Sequence, residues 1–412
     1  MAVLEDLRAA CGAARPAGDD DAIAGVPAKF VAAPGSADEA VAVVRTAAAH
    51  DLSTVVRGAA TKLDWGSPPE RLDLVLDTRR LTGVVEHAAG DLIVVVRSGT
   101  PLADLSTKLA AAGQQLALDA PLPGATVGGT VAVNTSGPRR MAYGTVRDLL
   151  IGVTIVRPDG VLARAGGKVV KNVAGYDLGK LVAGSYGTLG LITECVFRLH
   201  PVPEAGAVLR RPVDGPAGLR TLVSAVLGAQ VVPAALELDA PAGGGLELAM
   251  LLTGVPEGVR RRVATARALL GDELAASDAE PGWWSTYPWG AGDVGLKLTA
   301  ALSRVPDLVA AALAARDRHG VPVAVRGSVG TGVLYAGMPG ATDPASVAAV
   351  VADLRPAARE AGGHAVVLTA PAAVRDGLDL WGPVPGLALM RSVKSQFDPG
   401  RRFAPGRFVG GL

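Results

Sequence analysis

The first hundred residues alternate between helical and strand-like patterns of apolar side chains. Residues 36–49 open with Ser36 and Glu39 at capping-box spacing, and apolar side chains follow at 41, 44 and 48, which predicts a helix with one buried face. Thr100-Pro101 precedes leucines at 102, 105 and 109 and predicts the start of a second such helix. Short strands are predicted at the start of STVVRGAATKLDWG (53–66) and in LDLVLD (72–77) and LIVVVRSG (92–99). This alternation predicts α/β packing.

The pattern changes between residues 119 and 201. DAPLPGATVGGTVAVNTSGPRR (119–140) is rich in glycine, proline and threonine with little amphipathic periodicity, so it predicts a loop-rich site segment instead of a packed element. In residues 149–167 two β-branched runs flank Pro158-Asp159-Gly160, which predicts a hairpin with a tight turn. GLITECVFRLHP (190–201) predicts a strand that ends at a proline, where we expect a domain boundary.

Residues 202–390 form a second, alanine-rich region. Helical periodicity is found at 217–228, 257–270, 305–319 and 345–361, and strand-like pieces such as ALELD and HAVVLT separate these stretches. This region is predicted to be an α+β domain. The last stretch, SQFDPGRRFAPGRF (395–408), returns to a proline and glycine loop in which every charge except Asp398 is basic.

Length, charge and cysteine content restrict the function classes. A chain of 412 residues exceeds the size of one hydrophobic core, so two domains are expected. The balance of 40 basic and 39 acidic residues gives no overall attraction to nucleic acid or to an anionic membrane. Cys11 and Cys195 stand alone, which argues against a disulfide framework or an iron–sulfur cluster and favours a reducing compartment.

The termini and the most apolar segment contain no predicted membrane span. The amino terminus carries acidic residues early and lacks the basic and apolar regions of a secretory signal, and residues 221–237 are interrupted by Gly228, Gln230 and Pro233. The expected location is therefore cytoplasmic, and peripheral membrane association through partner subunits is left open.

Three glycine loops recur between the predicted strands, at 57–66, 123–137 and 184–190. The last of them, GSYGTLG, precedes a strand instead of opening a helix, so it does not match the Rossmann fingerprint, and no GxxxxGK[ST] sequence is present. Backbone N–H groups in such loops are free to line an anion. Together the three loops suit an extended ligand that carries a pyrophosphate, although each one alone is also typical of an ordinary tight turn.

Four stretches together resemble the flavoproteins of the vanillyl-alcohol oxidase and p-cresol methylhydroxylase (PCMH) family. They are VVRGAATKLDWG, ATVGGTVAVNTSGPRRMAYGTVRDLLIG, KNVAGYDLGKLVAGSYGTLGLITE and the terminal DPGRRFAPGRF. Within the family, the pattern is similar to that of glycolate oxidase E-type subunits. The resemblance covers residues 22–201 and the last twenty residues well, and it is weak between them.

The resemblance implies an α+β fold with a PCMH-type FAD-binding domain and a C-terminal α+β cap domain. The FAD-binding domain is expected at 22–201, in subdomains 22–117 and 118–201, and the cap at 202–390. Residues 391–412 are expected to pack back on the FAD-binding domain.

The resemblance also implies the residues that hold FAD. The first loop would wrap the pyrophosphate, the second would run beside the ribityl chain and the flavin ring, and the third would pass the adenosine half. The expected residues are Arg57, Gly58, Ala59, Ala60, Thr61 and Lys62; Thr126, Gly128, Gly129, Asn134, Ser136 and Gly137; and Gly187, Gly190 and Ile192. Some relatives attach FAD through a histidine in the first loop, but this chain offers Thr61 and Lys62 there, so noncovalent FAD is predicted.

The implied function is that of an FAD-binding oxidoreductase subunit of a glycolate oxidase type complex, which oxidises glycolate or a related 2-hydroxy acid to the 2-oxo acid. The implied partners are a D-like flavoprotein subunit, which would perform the chemistry, and an iron–sulfur F-like subunit. Two alternatives remain open: a self-sufficient FAD-dependent 2-hydroxy acid or alcohol dehydrogenase, and a flavin-free scaffold subunit.

No catalytic base or metal site is predicted. The catalytic relatives carry a histidine-rich cluster, whereas the histidines of this chain, His50, His87, His200, His319 and His364, are scattered and suit surface or capping roles. In the tail, relatives usually carry Asn-Pro-Gly where this chain has Ala404-Pro405-Gly406.

Three groups of residues have no assigned role. Arg139-Arg140 and Arg401-Arg402, with Arg407, suit either a substrate carboxylate, a partner or a solvated face, and Lys168 and Lys171 suit either a phosphate or solvent. The cluster Trp283-Trp284, Tyr287 and Trp289 predicts either an exposed interface or packing over the flavin site.

Overall fold

The chain folds as two compact units. The computed structural model describes residues 2–169, 176–271 and 273–412. The first unit comprises Met1–Ser136, Gly144–Val202 and Val384–Leu412, and the second comprises Gly137–Tyr143 and Pro203–Pro383. Each unit has its own hydrophobic core.

The bounds of the regular elements follow in chain order. The helices are α1 Ala2–Cys11, α2 Ala37–Ala49, α3 Leu102–Ala110, α4 Val127–Ala132, α5 Arg140–Tyr143, α6 Val146–Leu149, α7 Leu178–Val182, α8 Gly215–Gly228, α9 Pro256–Leu270, α10 Val305–His319, α11 Pro344–Glu360, α12 Ala372–Arg375 and α13 Leu387–Phe397. The strands are β1 Ala14–Pro16, β2 Phe30–Ala32, β3 Thr54–Arg57, β4 Leu74–Asp77, β5 Val84–Ala88, β6 Ile93–Arg97, β7 Gln114–Gln115, β8 Leu150–Val156, β9 Leu162–Gly166, β10 Leu191–Arg198, β11 His200–Pro201, β12 Ala205–Pro212, β13 Ala235–Ala240, β14 Glu247–Gly254, β15 Ala275–Ser277, β16 Val294–Thr299, β17 Ala324–Ser328, β18 Val333–Met338 and β19 Ala365–Thr369.

A small mixed sheet opens the first unit. Its strand order is β1-β2-β4-β3, and β4 runs parallel to both β2 and β3. Helix α2 packs on this sheet and begins as predicted, because the Ser36 hydroxyl accepts a hydrogen bond from the Glu39 amide at 3.1 Å. Its buried face is centred on Ala40, Val43, Val44 and Ala47, so the predicted face at 41, 44 and 48 is only partly right.

An antiparallel sheet completes the first unit, with strand order β5-β6-β10-β8-β9. The predicted hairpin is present as β8 and β9, which pair in antiparallel register on either side of residues 157–161. Helix α3 also begins as predicted and buries Leu105 and Leu109. The loop prediction for 119–140 is wrong for Val127–Ala132, which forms the buried helix α4. Its glycines hid the helix from the periodicity argument.

The second unit is an antiparallel sheet with strand order β15-β12-β14-β13-β17-β18-β16-β19. Helices α8 to α11 lie within a residue or two of the predicted helical stretches, and their apolar side chains share one core with Leu236, Leu296 and Leu334 of the sheet. The predicted strands ALELD and HAVVLT are β13 and β19. Helices alternate with the strands along the chain, but every pairing in the sheet is antiparallel, so this unit is α+β, as predicted.

Candidate functional site

A cavity lies in the first unit, where the three predicted glycine loops meet. Most of the predicted site residues line it: Gly58, Ala59, Ala60, Thr61, Lys62, Thr126, Gly128, Gly129, Gly187, Gly190 and Ile192. The lining also contains Ser98 and Tyr186, which were not among the predicted cofactor-binding residues, and Arg407, which had no assigned role.

The first loop presents backbone donors to the cavity. Strand β3 ends at Arg57, and in the described part of the chain the backbone amides of residues 58–62 donate no hydrogen bond to another protein group. Ala60 has a left-handed backbone (φ 63°), a conformation that helps successive N–H groups to converge on one side of a loop. Such a loop can hold an anionic group without any cationic side chain.

Gly58 is required by close approach of the second loop. A Cβ at this position would lie 2.4 Å from the Thr126 hydroxyl, which is far inside van der Waals contact. Thr126 in turn caps helix α4, because its hydroxyl accepts a hydrogen bond from the Gly129 amide at 3.3 Å. The backbone of the first loop at Gly58 therefore packs against the Thr126 side chain of the second loop, along one wall of the cavity.

Lys62 places a buried amine in the wall. Its side chain is 8% exposed, its Nζ donates to the Thr61 hydroxyl at 3.2 Å, and it makes no ion pair with a carboxylate of the described residues. Burial without a counter-charge lowers the pKa of Lys62 to about 8. A negatively charged ligand in the cavity would remove this penalty and return the pKa toward its ordinary value.

Polar side chains without a protein partner surround α4. In the part of the chain that the structure describes, Ser98 Oγ, Thr130 Oγ1, Asn134 Oδ1 and Thr135 Oγ1 are buried and have no hydrogen-bond partner. Buried polar atoms are normally satisfied, so these mark a place where a ligand or water supplies the partner. Ser98 itself lines the cavity, whereas Asn134, one of the predicted site residues, does not.

The third loop explains the glycines of GSYGTLG. Gly187 adopts φ 73° and faces open space, while Gly190 adopts φ 149° and brings its Cα so close to β8 that a Cβ would lie 2.7 Å from the Val156 carbonyl oxygen. Both conformations favour glycine. Gly187 and Gly190 therefore form tight turns and also line the cavity, so the two interpretations of these glycines do not exclude each other. The stretch KNVAGYDLGKLVAGSYGTLGLITE begins at residue 171, and residues 170–175 lie outside the described residues.

Some predicted site residues do not line the cavity. Arg57 directs its guanidinium into a buried network, where it contacts Asp21 at 3.0 Å and Asp77 at 3.0 Å. Ser136 accepts a hydrogen bond from the Val146 amide at 2.9 Å, and Gly137 belongs to the second unit. Arg57 and Ser136 therefore fix the loops through their side chains, and any direct ligand contact they make is through the backbone.

The carboxyl-terminal segment, which was expected to pack on the FAD-binding domain, contacts the first and third loops of the cavity. Lys394 on α13 is 4% exposed and donates to the Thr188 carbonyl at 2.7 Å, to Asp398 at 2.6 Å and to the Phe403 carbonyl at 2.8 Å. Arg407 donates to the carbonyls of Leu63 and Trp65 at 2.7 and 2.8 Å. Residues 394–407 thus tie the first and third loops together.

Three of the histidines pair with polar side chains. His50 contacts Asp6 at 2.7 Å, His87 contacts Gln114 at 2.8 Å and His319 contacts Asp353 at 2.9 Å. His200 is partly buried, which lowers its pKa. None of the described residues that line the cavity is a histidine or a cysteine, and both cysteines are buried and free.

The remaining arginines and lysines are divided between the units. Arg401 contacts Glu70 at 3.2 Å and Arg402 donates to the Pro158 carbonyl at 3.3 Å in the first unit, whereas Arg139 contacts Glu280 at 3.0 Å in the second. Lys168 pairs with Glu86 on the surface. Lys171 lies outside the described residues.

The aromatic cluster is packed within the second unit. Trp284 is 5% and Tyr287 is 7% exposed, so the prediction of an exposed interface is wrong for these rings. Tyr287 stacks on Trp289 with ring centroids 4.5 Å apart, and both rings contact Tyr335 edge-on. The pattern of tryptophans was visible in the sequence, but the partner Tyr335 was too distant in the chain to be linked to it.

The described part of the chain contains neither a membrane-spanning helix nor a metal-binding cluster. Among the helices of the described residues, none combines the length and the hydropathy needed to span a membrane. Within the same residues, no group of three or more histidine, cysteine or acidic side chains is placed to hold a metal ion.

Comparison with known proteins identifies the cofactor. Residues 28–166 match the FAD binding domain family, which confirms FAD as the cofactor of the first unit. The chain has the fold of p-cresol methylhydroxylase, with a TM-score of 0.78 over 98% of this chain and 96% of that one, at 16% sequence identity. The predicted fold class is therefore confirmed.

Two curated relatives differ in how much of the chain they cover. Glycolate oxidase subunit GlcE of Escherichia coli is 38% identical over 224 residues, which is 54% of this chain and 61% of that subunit. An uncharacterized FAD-linked oxidoreductase of Mycobacterium tuberculosis is 27% identical over an alignment that covers 95% of this chain and 93% of the relative. The stronger similarity thus covers less than two thirds of the relative's length.

Proposed function

We propose that this chain, whose residues 28–166 match the FAD binding domain family, is the FAD-binding oxidoreductase subunit of a glycolate oxidase type complex. The observation that carries the proposal is the cavity of the first unit. Its wall combines the unused backbone amides of residues 58–62 with the buried, unpaired amine of Lys62. This donor set suits the diphosphate of a dinucleotide.

The residues of the cavity fit FAD. The amides of residues 58–62 would hold the diphosphate, with Lys62 as its counter-charge, and the buried hydroxyl of Ser98 offers a further polar partner in the cavity wall. Gly187, Gly190 and Ile192 leave the third loop flat enough to lie against the cofactor. Bound FAD supplies the acceptor for two electrons.

Noncovalent binding is part of the proposal. Histidine and cysteine are absent from the described residues that line the cavity, and Thr61 and Lys62 occupy the part of the first loop where some relatives of this fold carry an attachment histidine. The buried ionic network of Arg57, Asp21 and Asp77 would hold the start of this loop in place without reaching the ligand.

Glycolate or a related 2-hydroxy acid is the proposed substrate, and a D-like flavoprotein subunit and an iron–sulfur F-like subunit are the proposed partners. Support comes from the similarity to the E. coli subunit GlcE. The chain itself supports a separate catalytic subunit, because none of its described histidines lines the cavity. Three of them contact Asp6, Gln114 and Asp353 instead. A base for the hydroxyl proton would then come from the partner subunit.

The test is to express the chain with and without its proposed partner subunits and to add glycolate and D-lactate to the purified proteins without oxygen. The proposal expects the isolated chain to be yellow and to stay oxidised, and the assembled complex to be bleached by the substrate. Full turnover of glycolate by the isolated chain would contradict the subunit role.

A second candidate function is a self-sufficient FAD-dependent 2-hydroxy acid dehydrogenase. The Mycobacterium tuberculosis relative favours it, since this uncharacterized FAD-linked oxidoreductase aligns with 95% of this chain. In the same anaerobic experiment this candidate predicts bleaching of the isolated chain by its substrate.

A further inference from the structure

A second cluster of ionisable side chains lies in the second unit, on the sheet face opposite its main core. Asp239 on β13, Arg326 on β17, Tyr335 on β18 and Lys297 on β16 are successive register partners across four neighbouring strands. Side chains opposite each other on adjacent strands lie about 5 Å apart at Cβ. The row therefore places Lys297 beside the Tyr335 ring, and it places Arg326 on the other side of that ring.

The two ends of this row differ in charge compensation. Arg326 is neutralised by Asp239, with its Nε 2.7 Å from the carboxylate, and it also donates to Thr286 and to the Tyr287 carbonyl. Lys297 forms no ion pair with a carboxylate of the described residues. Its charge acts on Tyr335, since Lys297 helps to lower the pKa of that phenol.

Arg140 adds a second cation at the same place. It comes from the segment 137–143, which belongs to the second unit, and its guanidinium donates to the Tyr335 hydroxyl at 3.3 Å and to the Gly137 carbonyl at 3.0 Å. The acidic side chain whose charge reaches both Arg140 and Tyr335 is Glu237 on β13, which is 5% exposed. Two cations and one carboxylate thus surround the Tyr335 hydroxyl.

The aromatic residues hold the Tyr335 ring in position. Tyr287 meets it edge-on at 4.8 Å and Trp289 at 5.9 Å, while Tyr287 and Trp289 stack on each other. Because the hydroxyl oxygen of Tyr335 accepts from Arg140, its own O–H is available to donate to another group. Ser328, the register partner of Glu237, adds a buried hydroxyl that has no hydrogen-bond partner among the described residues.

We propose that Arg140, Lys297 and Tyr335 form a binding site for the carboxylate of the small hydroxy acid, an inference that rests on the proposed function. Two cationic donors and one hydroxyl match the number and sign of contacts that a carboxylate accepts. The site lies wholly within the second unit and gives the aromatic cluster its role, which is to fix the angle of the Tyr335 ring.

The state of Tyr335 supports this arrangement. Burial raises the pKa of a phenol, but Arg140 and Lys297 outweigh it and hold the pKa of Tyr335 below its ordinary value. The groups that face this phenol are Arg140, Lys297, Glu237 and Tyr287, with Arg326 already paired to Asp239. A tyrosinate would compete with a bound carboxylate for the same cations, so anion affinity falls as the pH rises through the pKa of Tyr335.

The test uses oxalate, a small carboxylate that cannot be oxidised by loss of a hydride, and calorimetry on the full FAD-loaded chain. Lys297→Met and Arg140→Gln are each expected to weaken oxalate binding by about tenfold or more, and Tyr335→Phe by about threefold to tenfold. The matched controls Lys108→Met and Arg260→Gln replace exposed cations and are expected to change nothing. Tyr335→Phe also removes the loss of affinity at high pH, which a purely structural role would not do.

The outcomes separate this inference from the proposed function. Oxalate binding that responds to Lys297→Met and Tyr335→Phe but not to the controls supports the site even if glycolate never bleaches the flavin of the assembled complex, and in that case it is the oxidation that is refuted. Failure of the wild-type chain to bind oxalate, or binding that none of the variants alters, overturns the site even if glycolate oxidation is observed.

Discussion

The candidate cofactor site of the first unit and the candidate carboxylate site of the second are built from different parts of the polypeptide. The first is largely backbone: amides of residues 58–62, a glycine at 58 that lets Thr126 approach, and turns at Gly187 and Gly190. The second is made of side chains, with Arg140, Lys297 and Tyr335 contributed by three elements far apart in the chain.

This difference decides how each site responds to mutation. A backbone site tolerates changes of side-chain chemistry but not of shape, because its donors are the peptide groups themselves. A side-chain site responds to single changes of charge and leaves the fold intact. Variants in each unit therefore have distinct expected signatures, and each should leave the other unit's ligand unaffected.

The largest expected effect concerns the buried ion pair beneath the first site. Lys394→Met leaves Asp398, which is fully buried, without its cation, and removing one partner of such a pair costs about 3–5 kcal/mol. We expect a matching loss in the free energy of unfolding by denaturant and loss of FAD. The double variant Lys394→Met, Asp398→Asn should recover part of the stability, and Lys108→Met on the exposed face of α3 is the control. Equal stability of Lys394→Met and wild type would contradict the role of this segment.

Next in size is the effect of shape in the first loop. Gly58→Val forces a side chain against the Thr126 hydroxyl, which a Cβ alone would approach to 2.4 Å, and overpacking of this kind costs about 1–3 kcal/mol. If the variant destabilises the FAD-bound protein by this amount relative to the apoprotein, FAD affinity drops by about tenfold to a hundredfold. Fluorescence titration of the apoprotein with FAD measures it. Gly90→Ala, at a position with open space around Cβ, is the control. Oxalate binding should persist in both variants.

Lys62 provides a test in which stability and affinity move in opposite directions. Lys62→Met removes a buried amine that has no counter-charge in the apoprotein, so it should raise the apoprotein's resistance to denaturant. The same change should weaken FAD binding by about tenfold, because a charge-assisted contact to the diphosphate is lost. A variant that loses both stability and affinity, or neither, would show that Lys62 does not face the cofactor.

The pH dependence of FAD binding follows from the same lysine. Its pKa in the apoprotein is about 8, below the ordinary value, and an anionic ligand raises it, so binding takes up a proton above that pH. FAD affinity should therefore be constant below about pH 8 and decrease above it, whereas the stability of the apoprotein should rise between pH 8 and the ordinary lysine pKa of 10.5. Lys62→Arg should remove both trends, which titrations at several pH values would reveal.

The smallest effect is expected in the aromatic cluster. Trp289→Ala removes the ring that stacks on Tyr287 and borders Tyr335, and aromatic pairs of this kind contribute about 0.5–1.5 kcal/mol beyond burial. Oxalate affinity should decrease by a few-fold while FAD affinity stays unchanged. A loss of FAD in this variant would contradict the independence of the two sites.

The contrast between the units also explains what the sequence could and could not predict. Local signals were sufficient for helix α2, with its cap at Ser36, and for the turn at residues 157–161, because each depends on neighbours in the chain. Glycine loops also carry a sequence signature, which is why most of the first site was predicted. Helix α4 was missed because its capping by Thr126 and its burial, not its glycine-rich composition, stabilise it.

Contacts between distant residues left no such signal. Nothing local links Arg140 to Tyr335, and nothing indicates that the segment 137–143 joins the second unit while both of its neighbours belong to the first. The same holds for Lys394, whose partners at Thr188 and Phe403 become apparent only in three dimensions. Sites made of side chains are thus found by structure, and sites made of backbone by sequence.

The most direct test of the account is the visible absorption spectrum of the purified chain, recorded before and after denaturation. The account predicts a flavin spectrum in the native protein and complete release of free FAD into the supernatant when the protein is precipitated. A colourless protein that gains no flavin spectrum after incubation with FAD, or a flavin that stays attached to the precipitate, would contradict noncovalent binding in the cavity of the first unit.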